Sequence, residues 1–180
     1  MDDTAHATTP NGPRASTDTL RLRPETPADE GFLFEVYAST RQEELAVTGW
    51  DQTTLRAFLE QQFKAMRHGY RQMFPQAEFS VILLDRSAIG RMVVDRSAKE
   101  IRLVDVALLP QYRNRGLGTH LMNQLLDEAR RTQTPLRIHV LINSPAVRFY
   151  QRLGFVQRGQ PDLYQEMEWR PGSAPSLPPK

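Results

Sequence analysis

The sequence contains no cysteine, which excludes disulfides, zinc-thiolate sites, iron-sulfur clusters and a covalent thioester on the protein itself. Any chemistry must therefore use oxygen and nitrogen groups. A long apolar run is missing as well. The first residues, MDDTAHATTPNGPRASTDT, are polar and carry no apolar segment, so neither a signal peptide nor a membrane span is expected, and the cytoplasm is favoured. Nor does one sign of charge dominate, because 23 basic residues face 21 acidic ones for a formal charge of +2. That near-cancellation speaks against nucleic acid as the main partner.

What is present suffices for one domain. A chain of 180 residues with 39% hydrophobic side chains can bury a full core once but is short for two. Residues 1–18, rich in Thr, Pro and Ala, are expected to form a disordered arm. Residues 171–180 carry four prolines and are expected to form a disordered tail, since proline supports neither a helix interior nor a central strand. The ordered domain is expected over 19–170.

Hydrophobic periodicity orders that domain. TLRLRP alternates and ends in proline, as a short strand does. Thr26-Pro27-Ala28-Asp29 supplies an N-cap, a first-position proline and a capping-box acid ahead of Phe32, Leu33 and Val36. Leu55, Phe58, Leu59, Phe63 and Met66 recur at helical spacing between Asp51 and His68. FSVILL, IGRMVV and IRLVDVALL read as a three-strand meander, with DRSA as the first turn. From Gly116 to Arg131 the residues Leu117, Leu121, Met122, Leu125, Leu126 and Ala129 share one face, which predicts the best-defined helix. LRIHVLI reads as a buried strand, Ser144-Pro145 opens a short helix ending at Gly154, and FVQRG with LYQEMEW forms a last strand pair. The crossover from IRLVDVALL through a helix to LRIHVLI allows direct pairing only as parallel neighbours. The expected fold is mixed α/β: one twisted, mostly antiparallel sheet with a parallel pair, flanked by about four helices.

The stretch QYRNRGLGTHLM, from Gln111 to Met122, stands where a strand gives way to that central helix. A first turn of Arg-Gly-Leu-Gly-Thr exposes unpaired backbone N–H groups at the positive end of the helix dipole. Glycines let a ligand approach that backbone, so the site suits a phosphate or pyrophosphate. Arg113 and Arg115 can add charge-assisted contacts. Tight strand-to-helix packing is the alternative for this stretch taken alone. It is not a P-loop, lacking a Gly-Lys-Ser/Thr ending, and the six-residue span of a dinucleotide fingerprint is missing.

Arg113-Asn114-Arg115-Gly116-Leu117-Gly118, read with the preceding LLP and the later Asn143-Ser144-Pro145-Ala146, Phe149-Tyr150 and Leu153-Gly154-Phe155, resembles the GNAT N-acetyltransferase superfamily from about Thr19 to Trp169. The resemblance implies acetyl-CoA as donor substrate and no metal. It implies a pyrophosphate seat on the backbone of Arg113, Asn114, Arg115, Gly116, Leu117, Gly118 and Thr119. It also implies a pantetheine arm running beside Val106, Ala107 and Leu108 as an added strand edge does, with Asn143, Ala146 and Tyr150 nearby. Transfer would go directly to a primary amine of a small molecule or peptide.

That chemistry poses a proton problem at each end. An ammonium with a pKa of about 10.4 costs roughly 4 to 5 kcal/mol to deprotonate at pH 7, so a base or water chain is needed. A leaving thiolate of pKa about 8.5 draws a proton from an ordinary tyrosine at a cost of about 2 kcal/mol. Tyr150 is the family-matched acid, and Asn143 is matched to the cofactor arm or an ordered water. Candidates for the base stay open. Asp105 interrupts the apolar strand before the donor segment and is the base candidate, with a charge at the sheet rim or paired with an arginine as its alternative, and His139 alternates with core residues as a structural histidine does. Glu43 and Glu44 lie where the family builds its acceptor wall and are expected to bind the substrate by attracting a cation, with a water-facing position as their alternative. Tyr70 and Phe74 are candidates for the acceptor cleft, with packing as their alternative. A non-catalytic acyl-CoA-binding or regulatory module of the same fold is the competing reading, and monomer or homodimer stays undetermined.

Overall fold

The protein is seen in a computed structural model that describes residues 19–45 and 48–172, without the side chains of Gln42, Glu43 and Glu44. The expected arm over 1–18, residues 173–180 of the expected tail, and the side chains of Glu43 and Glu44 lie outside the described residues.

The elements follow in the order β1 (Leu20–Pro24), a 3-10 turn (Pro27–Asp29), α1 (Glu30–Leu45), α2 (Gln52–Met73), β2 (Glu78–Leu84), β3 (Ser87–Arg96), β4 (Ile101–Leu108), a second 3-10 turn (Pro110–Tyr112), α3 (Leu117–Thr132), β5 (Leu136–Leu141), α4 (Ala146–Arg152), β6 (Val156–Arg158) and β7 (Tyr164–Trp169). The seven strands form one sheet in the order β1-β2-β3-β4-β5-β7-β6. Every neighbouring pair is antiparallel except β4 with β5, the pair bridged by α3. The mixed α/β fold expected from the sequence is therefore the fold observed.

Local chemistry explains the boundaries. Asp29 reaches back to the Thr26 N–H at 2.7 Å and so ties down the entry to α1. Asp51 caps α2 by accepting from Thr53 N and Thr54 N, both at 3.0 Å. The β2–β3 turn is shorter than the tetrapeptide DRSA. Leu84 pairs Ser87 across the two residues Asp85 and Arg86, and Asp85 takes φ 56°, which an aspartate tolerates.

Strand alternation divides the core in two. Val81 and Leu83 face Leu33, Phe34, Tyr37, Leu59 and Phe63 of α1 and α2. Ile82, Met92 and Val94 face the apolar stripe of α3, whose Leu117, Leu121, Met122, Leu125, Leu126 and Ala129 are all buried. Each such leucine or methionine contributes about 1.5–3 kcal/mol of burial, which anchors the first turn of α3 against the sheet. The glycine loop is thereby held at the end of β4.

Candidate functional site

The sheet opens at its parallel pair. Opposite β3, Asp105 pairs Val93 while Leu103 pairs Val94, so Val104 is an additional residue that bulges β4. Beyond the bulge the β4–β5 register ends at Leu103↔Ile138, although β4 continues to Leu108 and β5 to Leu141, which stays paired with β7. A wedge results between the two strands. Leu109 N–H donates to Ile89 O at 2.9 Å, so by antiparallel alternation the backbone groups of Ala107 turn toward β3, and those of Val106 and Leu108 turn into the wedge.

The loop that follows closes one end of the wedge. Asn114 takes φ 57° and Gly116 takes φ 80°, both left-handed, and these two reversals aim the chain into α3. The first internal bond of that helix is His120 N–H to Gly116 O at 3.0 Å, so the N–H groups of Leu117, Gly118 and Thr119 have no intrahelical acceptor. A Cβ built on Gly116 or on Gly118 meets nothing within 4 Å. That leaves an open, donor-lined cradle suited to a pyrophosphate. The Arg113 side chain, by contrast, is engaged inside the protein, donating to Leu108 O at 2.8 Å and to Ser39 Oγ at 3.1 Å. It ties the loop to β4 and α1. Arg115 lies over the Tyr112 ring at 5.8 Å to its centroid.

On the far side of the wedge, Ser144 Oγ accepts from the N–H of Ala146 and opens α4. Asn143 is exposed in the turn before it. Tyr150 is buried, with edge-on rings of Phe149 and Phe155 at 5.2 and 5.6 Å. Burial first, and the charge of Asp105 second, push its phenol up to about 12. Giving up that proton to a group of pKa near 8.5 would cost about 5 kcal/mol, more than for an ordinary tyrosine.

Asp105 sits on the sheet face that carries α1 and α2. Its carboxylate accepts from Arg91 Nε at 2.6 Å, and Arg91, itself buried, leaves its Nη1 without a partner. Tyr70 joins this group from the last turns of α2, its phenol pushed up to about 12 by burial and by Asp105, with Arg91 opposing. A narrow pocket of about 10 Å³ lies among Tyr70, Arg91, Asp105 and Glu25. It has room for about one water. Phe79, not Phe74, lines it. A larger cleft of 430 Å³ opens between α1 and α2, lined by Phe34, Glu35, Ser39, Gln52, Arg56 and Leu109 among others. It does not reach Asp105 or Tyr150, so its size alone does not locate chemistry.

The structure thus gathers Asp105 and Tyr70 with Arg91 in one pocket, sets Tyr150 in the α3-side core within electrostatic reach of Asp105, and places the glycine cradle after the end of β4. His139 lies elsewhere, on the open face of β5, with Nδ1 2.9 Å from Arg102 Nη1 and with Glu166 beyond its other nitrogen. Arg91 escaped sequence reading because IGRMVV looks like an ordinary strand. A cation inside that apolar run was the available signal.

The Acetyltransferase (GNAT) family matches the chain over residues 35–155. Among solved structures, the PaiA N-acetyltransferase from Thermoplasma acidophilum in complex with coenzyme A superposes with a TM-score of 0.63 at 18% identity, covering 84% of this chain and 98% of its own. An acetyltransferase from Thermus thermophilus gives 0.60 at 20% identity, covering 84% and 97%. Ard1 from Thermoplasma volcanium gives 0.56 at 22%, covering 86% and 99%. No protein of curated function matches the sequence. With the family match spanning more than half of the chain, including the wedge, the cradle and Tyr150, the protein belongs to the GNAT acetyltransferase family.

Proposed function

We propose that the protein moves an acetyl group from acetyl-CoA to a primary amine by direct attack. The observation that carries this reading is the juxtaposition of an unpaired strand edge, a donor-lined glycine cradle and two polar groups, Tyr150 and Asp105, around one wedge. The residues fit the donor. First-turn N–H groups of α3 seat its pyrophosphate, with Arg115 as the side-chain cation, and the backbone of Val106 and Leu108 lines its arm. Leu108 O is already taken by Arg113, so Val106 offers both backbone groups and Leu108 only its N–H.

The chain's own groups then handle protons. The acceptor nitrogen forms a bond to the acetyl carbon as the carbon–sulfur bond breaks. Two protons leave the original ammonium: Asp105 collects one, directly or through the water its pocket admits, and passes it to solvent. Tyr150 gives its phenolic proton to the departing sulfur and regains the second. These two transfers are coupled by charge. Once Asp105 is protonated, the negative charge that helps hold the Tyr150 proton is gone, so amine deprotonation makes Tyr150 a better acid. Arg91 orients Asp105, and Asn143 is free to meet the donor arm.

Replacing Tyr150 with Phe tests this assignment. Turnover is expected to fall about 100-fold or more with coenzyme A affinity kept, and unchanged turnover removes Tyr150 from the mechanism. A non-catalytic acyl-CoA-binding module would bind the donor and release no thiol with any amine.

A further inference from the structure

The proposed transfer leaves the acceptor as any primary amine, and one lip of the wedge narrows it. Leu141, Ile142, Leu163 and Tyr164 are all exposed, Leu163 at 62% and Tyr164 at 53%. They are also contiguous, since Leu141 pairs Tyr164 in register and Ile142 N–H donates to Leu163 O at 3.3 Å. Isolated exposed apolar residues are ordinary, whereas these four are contiguous, Leu141 ending β5 and Tyr164 opening β7, with Ile142 and Leu163 standing just outside them.

Its position identifies the occupant. The lip lies beyond the point where β5 leaves β4 and runs directly into Asn143. Leu136, Ile138 and Val140 of β5 pack in the α3 cluster, so Leu141 and its partner Tyr164 point to the opposite face, the one carrying Asp105 and Tyr70. Tyr164 is close enough to contribute to the raised phenol of Tyr70 across that face. The donor cradle belongs to α3 on the other side. Behind the lip, Arg102, Arg137, His139 and Glu166 are already engaged with one another and with Glu100. An approaching polar body therefore meets satisfied charges, and an apolar one meets Leu, Ile and Tyr.

We infer that the acceptor is an amine carried on an apolar body, and that Leu141, Ile142, Leu163 and Tyr164 seat that body while its nitrogen reaches toward Asp105. This rests on the acetyltransferase reading. The test uses the full chain with acetyl-CoA and the n-alkylamines from propylamine to hexylamine, together with 1,6-diaminohexane, whose far end is charged. kcat/KM is expected to rise about two- to four-fold per methylene, the upper figure corresponding to full burial, and hexylamine should exceed the diamine. The double variant Leu163→Ser, Tyr164→Ser should flatten that dependence while its thermal shift with coenzyme A is kept.

A flat profile, a preference for the diamine, or a chain-length dependence that survives in the variant overturns the inference and leaves the transferase reading standing. A parent protein that dimerises through this lip, and a double variant that becomes monomeric with its amine preference unchanged, assigns the lip to a second copy and overturns it too. Absence of transfer to every amine, with coenzyme A still bound, defeats both.

Discussion

Gly118→Leu separates a ligand cradle from a packing turn. Gly118 is the second residue of α3, lies outside the left-handed region, and has nothing within 4 Å of a built Cβ. Leucine there removes a helix penalty of about 0.5–0.8 kcal/mol without meeting a neighbour. At about 2–4 °C per kcal/mol for a protein of this size, Tm should rise by about 1–3 °C. The same side chain fills the space where the pyrophosphate would rest. Coenzyme A at one hundred times its dissociation constant should stabilise the parent by about 2.7 kcal/mol, a shift of about 5–11 °C, and that shift should vanish in Gly118→Leu. Gly116→Ala provides the contrast, because its φ of 80° costs a side chain about 1–2 kcal/mol and should lower Tm by about 2–8 °C. Differential scanning fluorimetry with isothermal titration reads both quantities. If Gly118→Leu is folded and keeps full coenzyme A affinity, the cradle is not the donor site. If it is destabilised, the glycine serves packing and the loop is not an open cradle.

Two further outcomes follow from the same geometry. A Cβ on Gly90 would stand 2.3 Å from Ala107 O and 3.1 Å from the Leu108 Cα, so Gly90→Ala must push β4 away where it borders the wedge. Its cost should be about 1–3 kcal/mol with weakened coenzyme A binding, measured by urea unfolding and titration, and an unperturbed variant would contradict the strand spacing. Tyr70 and Tyr150 are both pushed up to about 12 from 10, chiefly by burial, so the fold disfavours their phenolates. Their contribution is complete below pH 10 and is lost as pH rises from 10 to 12, on the order of 3 kcal/mol for Tyr150 and less for the more exposed Tyr70. Urea midpoints across that window should fall, and fall less in Tyr150→Phe; a flat profile refutes the buried environment.

Local signals carried most of the fold. The stripe from Leu117 to Ala129 needed only helical spacing, and the parallel pair followed from the length of its crossover. The glycine loop was legible because left-handed turns and helix starts leave residue-level marks. What stayed hidden depends on partners far apart in the chain. Val104 bulges although it is an apolar residue like Leu103 and Val106 of the same strand. Arg113 looked like a phosphate ligand but bonds Ser39, 74 positions away. Glu168 alternates toward the open face in YQEMEW, yet its side chain is 1% exposed because Arg137, Arg158 and Arg170 cover it. Helix α2 outran its expected end at His68 by five residues, continuing through Gly69 to Met73. A single glycine costs about 1 kcal/mol there, too little to stop a helix held by Leu59 and Phe63.

Direct acetyl transfer to an amine is tested by incubating the full chain with acetyl-CoA labelled in its acetyl group, in the presence and absence of hexylamine. Free thiol and labelled amide are followed together, with Tyr150→Phe run alongside. Direct transfer predicts amine-dependent thiol release matched one to one by labelled N-acetyl amine, and a rate about 100-fold or more lower in the variant. Thiol release that ignores the amine, or equal rates in parent and variant, would contradict direct transfer with Tyr150 as the acid.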